Sequence, residues 1–256
     1  MYFDSHAHLG EDCFAQDFVN IVEKMRAADV TGMMEIGCDG PSSHHAVELA
    51  HQYDWIWAAV GSHPDDADHV NGALLARYRA LCASPRVRAI GEIGLDYYWE
   101  QNPPRELQQR VLRDQLALAQ ELDLPVIVHD REAHADSLAI VQEFPAVRGV
   151  FHCFSGSVEM AEELLKLGWM LSFNGAITFK NARKAPEVIA AVPLERMMVE
   201  TDAPYLTPVP FRGKRNDSGY VHLVAEKIAQ LKGLPAEQVE RQTWENGVRF
   251  FGIPQE

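Results

Sequence analysis

Basic residues are scarce in this chain: Lys and Arg number 23 against 37 Asp and Glu, a formal net charge of −14. A protein that coats duplex nucleic acid along a broad face carries the opposite balance, so that class is disfavoured. Acidity still leaves room for a recessed site that takes one phosphate at a time, where bound cations supply the local positive charge. Cysteine is also sparse. Cys13, Cys38, Cys82 and Cys153 form no C-x-x-C pair, and a chain of 256 residues that is 47% hydrophobic has core enough without disulfide staples. The four are expected as reduced thiols in a cytoplasmic protein. No apolar run reaches the length of a membrane span. The opening MYFDSHAHLG has neither the basic nor the apolar region of a signal peptide. Neither a membrane nor an obligate protein partner is expected. No low-complexity linker or internal repeat divides the sequence, which is expected to form a single domain over residues 1–256.

What the sequence does contain is an alternation of short apolar runs and helical patterns. Candidate strands cover 2–8, 31–37, 56–61, 87–95, 125–129, 149–154, 169–174 and 197–201, and a helical stretch follows each. The fourth helix opens with Pro103-Pro104 and carries Leu107, Val111, Leu112, Leu116 and Ala119 at helical spacing. The sixth can start at Ser157 and end at Gly168. The eighth shows the stripe Val221, Val224, Ala225, Ile228, Leu231. A last helix runs from about Pro235 to Arg249. Eight strand–helix units in series close into a barrel or spread into a doubly wound sheet. No G-x-G-x-x-G follows the first strand, which removes the best support for the dinucleotide-binding sheet. The expected fold is therefore α/β, a (β/α)8 TIM barrel with an extra C-terminal helix. In a barrel the active site lies at the carboxyl ends of the strands.

Those ends are polar. The first closes on D-S-H-A-H, where His6 and His8 share one face of a strand, as two ligands of one metal require. An isolated H-x-H is more often a strand cap. Yet His63 tips the third strand, His129 the fifth and His152 the sixth, so five of the eleven histidines sit at strand ends. Glu92 lies in the fourth strand, inside the apolar run of RAIGEIGLDYY. Glu200 and Asp202 lie at the end of the eighth. A barrel converges these ends on one pocket, which makes a polynuclear metal site the reading of the set. The other six histidines fall in helices or loops, where a surface or packing role suffices.

In order along the chain, F-D-S-H-A-H, G-S-H-P, G-E-I-G-L-D-Y, L-P-V-I-V-H-D-R, F-H-C-F-S-G and E-T-D-A-P-Y-L resemble the TatD family of metal-dependent hydrolases, amidohydrolase-like TIM barrels. The resemblance implies two divalent ions, Mg, Mn or Zn. His6 and His8 would bind one with Asp202, and His129 and His152 the other. Glu92 would bridge them, and His63 would contact the scissile phosphate or the leaving group. Arg212, Lys214 and Asn216 match the family's R-G-K-x-N. The proline that usually follows is replaced here by Asp217-Ser218-Gly219-Tyr220. The bridge also has an argument of its own. Two cations held close need a shared anion, and none of the seven lysines that carboxylation could convert into one sits at a strand end. Glu92 does. Its competing roles are a protonated acid or a partner of Arg88, four residues back.

The reaction expected is hydrolysis of a phosphodiester by a metal-activated water. Asp202 would orient that water and take its proton, and His63 would serve the leaving oxygen. Arg131, Arg212, Lys214 and Asn216 are candidate substrate contacts, the three cations to phosphate, with exposed ion pairs as their ordinary role. The resemblance implies DNA as substrate, single-stranded or with frayed ends, degraded by 3′-5′ exonuclease action. The alternative is a two-metal esterase or amidohydrolase, for example an aminoacyl-tRNA deacylase. Cys153, next to His152, is expected on the opposite face of its strand.

Overall fold

Runs such as IWAAV and GVF have no polar alternation because both of their faces are covered, as in a parallel sheet wrapped by helices. In the computed structural model, which describes residues 1–254, they form eight strands. These are β1 (Tyr2–Ala7), β2 (Val30–Ile36), β3 (Ile56–Val60), β4 (Val87–Asp96), β5 (Val126–Arg131), β6 (Gly149–Phe151), β7 (Met170–Phe173) and β8 (Met197–Val199). Each pairs in parallel with the next. The helices between and after them are α1 (Phe18–Ala27), α2 (Gly40–Gln52), α3 (Gly72–Leu81), α4 (Arg105–Leu122), α5 (His134–Gln142), α6 (Val158–Lys166), α7 (Ala185–Ala191), α8 (Val221–Lys232) and α9 (Ala236–Phe250). This is the (β/α)8 barrel expected, with α9 as the extra C-terminal helix. The expected strand ends agree to within a few residues. The sixth and eighth strands are shorter because their polar tips leave the sheet to form the site.

The first and last strands meet through the residues that carry site groups. Ala7 bridges Ala203, His8 N–H donates to the Ala203 carbonyl at 2.8 Å, and Asp202 N–H donates to the His6 carbonyl at 2.9 Å. Asp4 reinforces this closure, its carboxylate accepting from the Thr201 N–H at 2.9 Å.

Two apolar clusters show which way each strand residue points. One takes Phe3, Met34, Trp57, Ala89, Ile127, Val150, Met170 and Met198, one from every strand, and must be the barrel interior; Val248 and Phe251 at the end of α9 close it from below. The other takes their neighbours, such as Met33, Ile56, Ile90, Val126 and Phe151, together with the helices. In β4 both Ile90 and Ile93 belong to this outer cluster, which strict alternation forbids. The pairing of β4 with β5 shifts register between them. Glu92 is thereby turned away from the helices and toward the barrel axis.

Candidate metal centre

Glu92 is 4% exposed, and each of its two oxygens faces a different pair of imidazoles. Oε1 lies 2.9 Å from His129 Nδ1 and 2.8 Å from His152 Nε2. Oε2 lies 3.3 Å from His6 Nε2 and 3.8 Å from His8 Nε2. Asp202 completes the second group, its Oδ1 standing 3.7 Å from His6 Nε2 and 3.6 Å from His8 Nε2. These side chains come from β1, β4, β5 and the residues just past β1, β6 and β8, all at one mouth of the barrel.

The donor set fits divalent cations. The ring nitrogens of His6 and His8 approach to 3.1 Å, and those of His129 and His152 to 3.2 Å. Lone pairs aimed at one another this closely repel unless a proton or a cation lies between them. Ligands held about 2.0–2.2 Å from a common ion stand about 3–3.5 Å apart, the spacing observed here. His6, His8 and Glu92 therefore offer one such group, and Glu92, His129 and His152 another.

The electrostatics follow from the geometry. Burial works to raise the Glu92 carboxyl, but His152, His6 and His129 together hold it well below the usual carboxylate range. Burial likewise opposes the charge on Asp202, and His8 and His6 beside it bring it below its ordinary value.

Comparison with known proteins bears on what this centre serves. A family model described as TatD related DNase matches residues 3–252. The chain belongs to the TatD family. It is 45% identical over 255 residues to the uncharacterized metal-dependent hydrolase YabD of Bacillus subtilis, across 99% of this chain and 100% of that protein. It is 34% identical over 260 residues to the 3′-5′ ssDNA/RNA exonuclease TatD of Klebsiella pneumoniae, across 98% of each. The solved structure of YJJV, a TatD homolog from Escherichia coli K12, matches with a TM-score of 0.93 at 30% identity, covering 99% of this chain and 98% of that one. The chain is thus a metal-dependent hydrolase, and its His, Asp and Glu clusters are the groups available to hold the metal.

Beside these groups the TatD barrel places two further acids that sequence reasoning did not assign, Asp96 within hydrogen-bond reach of its imidazole and Glu200 close to its own. Asp96 Oδ2 is 3.3 Å from His129 Nε2, and Glu200 Oε1 is 3.4 Å from His152 Nδ1. A carboxylate behind a ligating imidazole sets its tautomer and ring direction. The signal that could have found them is the one that singled out Glu92: an acid in an apolar strand is costly unless something pairs with it. Asp4 and Glu35 carry the same signal and are pins for the chain. Glu35 accepts the backbone N–H groups of Leu9 and Gly10, both at 2.8 Å, and so holds the turn that follows His8. Gly94 is also required here, since a Cβ on it would stand 1.9 Å from the carbonyl oxygen of His129.

His63 lines the same cavity of about 610 Å3 as Glu92, His129, His152 and Asp202. Its Nδ1 is 2.6 Å from Asp65 Oδ1 and its Nε2 is 4.0 Å from Glu92 Oε1, so Nε2 faces the centre. Arg131 is in the cavity wall. Arg212 and Lys214 are exposed on the loop after β8. Each of the three cationic heads lies over a ring: Arg131 is 3.9 Å from the centre of Tyr98, Arg212 is 4.2 Å from that of Phe179, and Lys214 is 5.6 Å from that of Phe211.

Asn216 and Cys153 depart from expectation. Asn216 is fully buried; its Nδ2 donates to the Thr201 and Tyr205 carbonyls at 2.9 and 2.6 Å, and its Oδ1 accepts from the Asp217 N–H at 3.0 Å. It holds the loop from within and has no free group for a substrate. Cys153 lines the cavity instead of the opposite face. The strand stops at Phe151, and Cys153 takes a φ of 45°, so side-chain alternation no longer applies.

Proposed function

We propose that this hydrolase is a deoxyribonuclease that removes nucleotides from the 3′ end of single-stranded or frayed DNA, with two divalent ions per chain. His6, His8 and Asp202 would hold one, His129 and His152 the other, and Glu92 both. The observation that carries this reading is Glu92, a buried carboxylate with one oxygen toward each histidine pair. Cations bound there would supply Lewis acidity toward phosphoryl oxygens and would acidify a water.

The rest falls to side chains. Asp202, ionised at neutral pH, orients the attacking water through its carboxylate and accepts its proton. His63, steadied at Nδ1 by Asp65, delivers a proton from Nε2 to the leaving oxygen. Arg131 carries charge in the cavity wall and binds a non-bridging phosphate oxygen. The relative in Klebsiella pneumoniae that bears an exonuclease name supports the same substrate class.

One observation favours a second reading, hydrolysis of an aminoacyl ester. A cavity of about 870 Å3 adjoins the metal cavity through His8 and Cys38, and Glu11, Asp12, Asp39, Asp65 and Asp66 line it. An ammonium group would be welcome there. The deciding assay uses 5′-labelled single-stranded DNA with magnesium or manganese, comparing wild type with Asp202→Asn. A ladder of shortened labelled products from wild type, absent with the variant, is expected. A metal-loaded wild type that leaves DNA intact but hydrolyses an aminoacyl ester would transfer the assignment to the second reading.

A further inference from the structure

Among the described residues, six large apolar side chains are exposed: Met1, Val19, Tyr98, Trp99, Tyr205 and Val209. Tyr98 and Trp99 are neighbours on the loop that leaves β4, the strand of Glu92. They are 50% and 48% exposed, with their rings edge to face at 4.7 Å. Keeping two aromatic rings in water is unfavourable, and this loop is not loose. Asp96 accepts the Tyr98 N–H at 2.9 Å, and Asn102 Nδ2 donates to the Asp96 carbonyl at 3.2 Å. The acid that orients His129 therefore also positions the two rings.

Arg131 connects them to the chemistry. Its guanidinium is 3.9 Å from the centre of the Tyr98 ring and 5.3 Å from that of Trp99, and the same residue lines the metal cavity. A planar cation in the cavity wall thus lies against two exposed rings. We propose that Tyr98, Trp99 and Arg131 form a subsite that stacks an unpaired nucleobase beside the phosphodiester being cleaved, and that this stacking selects single-stranded ends. The proposal rests on the phosphodiester reading above.

The chemistry of the occupant follows from the surface. Stacking needs a free π-face, which a base within a duplex does not present, and aromatic platforms hold bases of any identity. The guanidinium suits the phosphate joined to that base. Glu11, Asp12, Asp65 and Asp66 line the adjoining cavity, which Gln101 and Asn102 of the same loop also border; these carboxylates repel a polyanion, and Arg131 supplies the cation in the wall of the metal cavity, so the strand passes over the Arg131 side.

The test measures kcat and KM for the full-length, metal-loaded protein on three DNAs. One is single-stranded, one is the same strand with abasic residues at its 3′ end, and one is a blunt duplex. Wild type is expected to favour the base-bearing single strand over the abasic one by about tenfold or more, mainly through KM. The Tyr98→Ala/Trp99→Ala double variant is expected to lose that preference, and Trp99→Phe to keep it. Both side chains are exposed, so folding and metal content, followed by circular dichroism and elemental analysis, should match wild type. A double variant that cleaves DNA with the wild-type preference overturns the subsite.

A second readout separates this proposal from the reading beneath it. Metal-depleted protein is titrated with labelled oligothymidylate and followed by fluorescence anisotropy. Binding that the double variant loses, in a protein that cleaves no nucleic acid when metal-loaded, supports the stacking subsite and overturns the nuclease reading. Wild type that neither binds nor cleaves overturns both.

Discussion

Nε2 of His152 lies 2.8 Å from Oε1 of Glu92, both side chains being buried at the mouth of the barrel. With His6 on the other oxygen, Glu92 places one carboxylate oxygen against each histidine pair. Replacing it with Gln keeps the shape and removes the charge. Glu92→Gln is expected to purify with less metal than wild type and to lose activity with it, as elemental analysis of the dialysed protein would reveal. A variant that retains the wild-type metal content rules out the bridging role.

Asp202 adopts a φ of 56°, a left-handed conformation that Asn also tolerates. Asp202→Asn should therefore fold normally while lacking the proposed base. A loss of about 10²–10⁴ in kcat is expected from removing a positioned general base. Single-turnover cleavage of end-labelled DNA at saturating metal measures it. An unchanged rate would move the proton acceptor elsewhere.

The acids behind the histidines should act through metal affinity. Asp96→Asn and Glu200→Gln keep the proposed ligands His129 and His152 and remove the carboxylate charge beside each. Each is expected to weaken metal binding about 10- to 100-fold, read by competition with a chromogenic chelator. Glu200 also accepts the Cys153 N–H at 2.8 Å and an Asn174 amide hydrogen at 3.1 Å, so its variant should in addition melt earlier than wild type.

Glu35, which holds the turn after His8 and is outside the proposed ligand set, offers a pH signature. Burial pushes its carboxyl up to about 7, against about 4.3 in an unfolded chain. Between those values the folded protein holds a proton that the unfolded chain has released. Its contribution to stability is therefore full below about pH 4 and lost as pH rises through about 7. Glu35→Gln removes that slope and also breaks one of two buried bonds to Leu9 and Gly10, at about 1–3 kcal/mol. Urea unfolding in chelator at about pH 5 and about pH 8 is the measurement. Equal pH slopes for variant and wild type would contradict it.

The barrel was legible in the sequence because parallel strands buried on both faces must be apolar throughout and polar only where they end. Likewise, His6 and His8 could be paired from their spacing alone, since residues two apart in a strand share a face whatever surrounds them. The order of motifs carried the family. The direction of Glu92 was another matter: counted from Ile90, alternation sends it toward the helices, and only the register shift against β5 turns it inward. Asn216 sits in a recognisable linear motif, yet the loop folds its amide onto the carbonyls of Thr201 and Tyr205. Cys153 enters the cavity because the chain turns after Phe151. The sequence by itself determined the strands, their order and the donor types at their ends, which depend on neighbours a few residues apart. Tertiary structure alone decided which donors face one another, because that depends on register and loop paths between residues far apart in the chain.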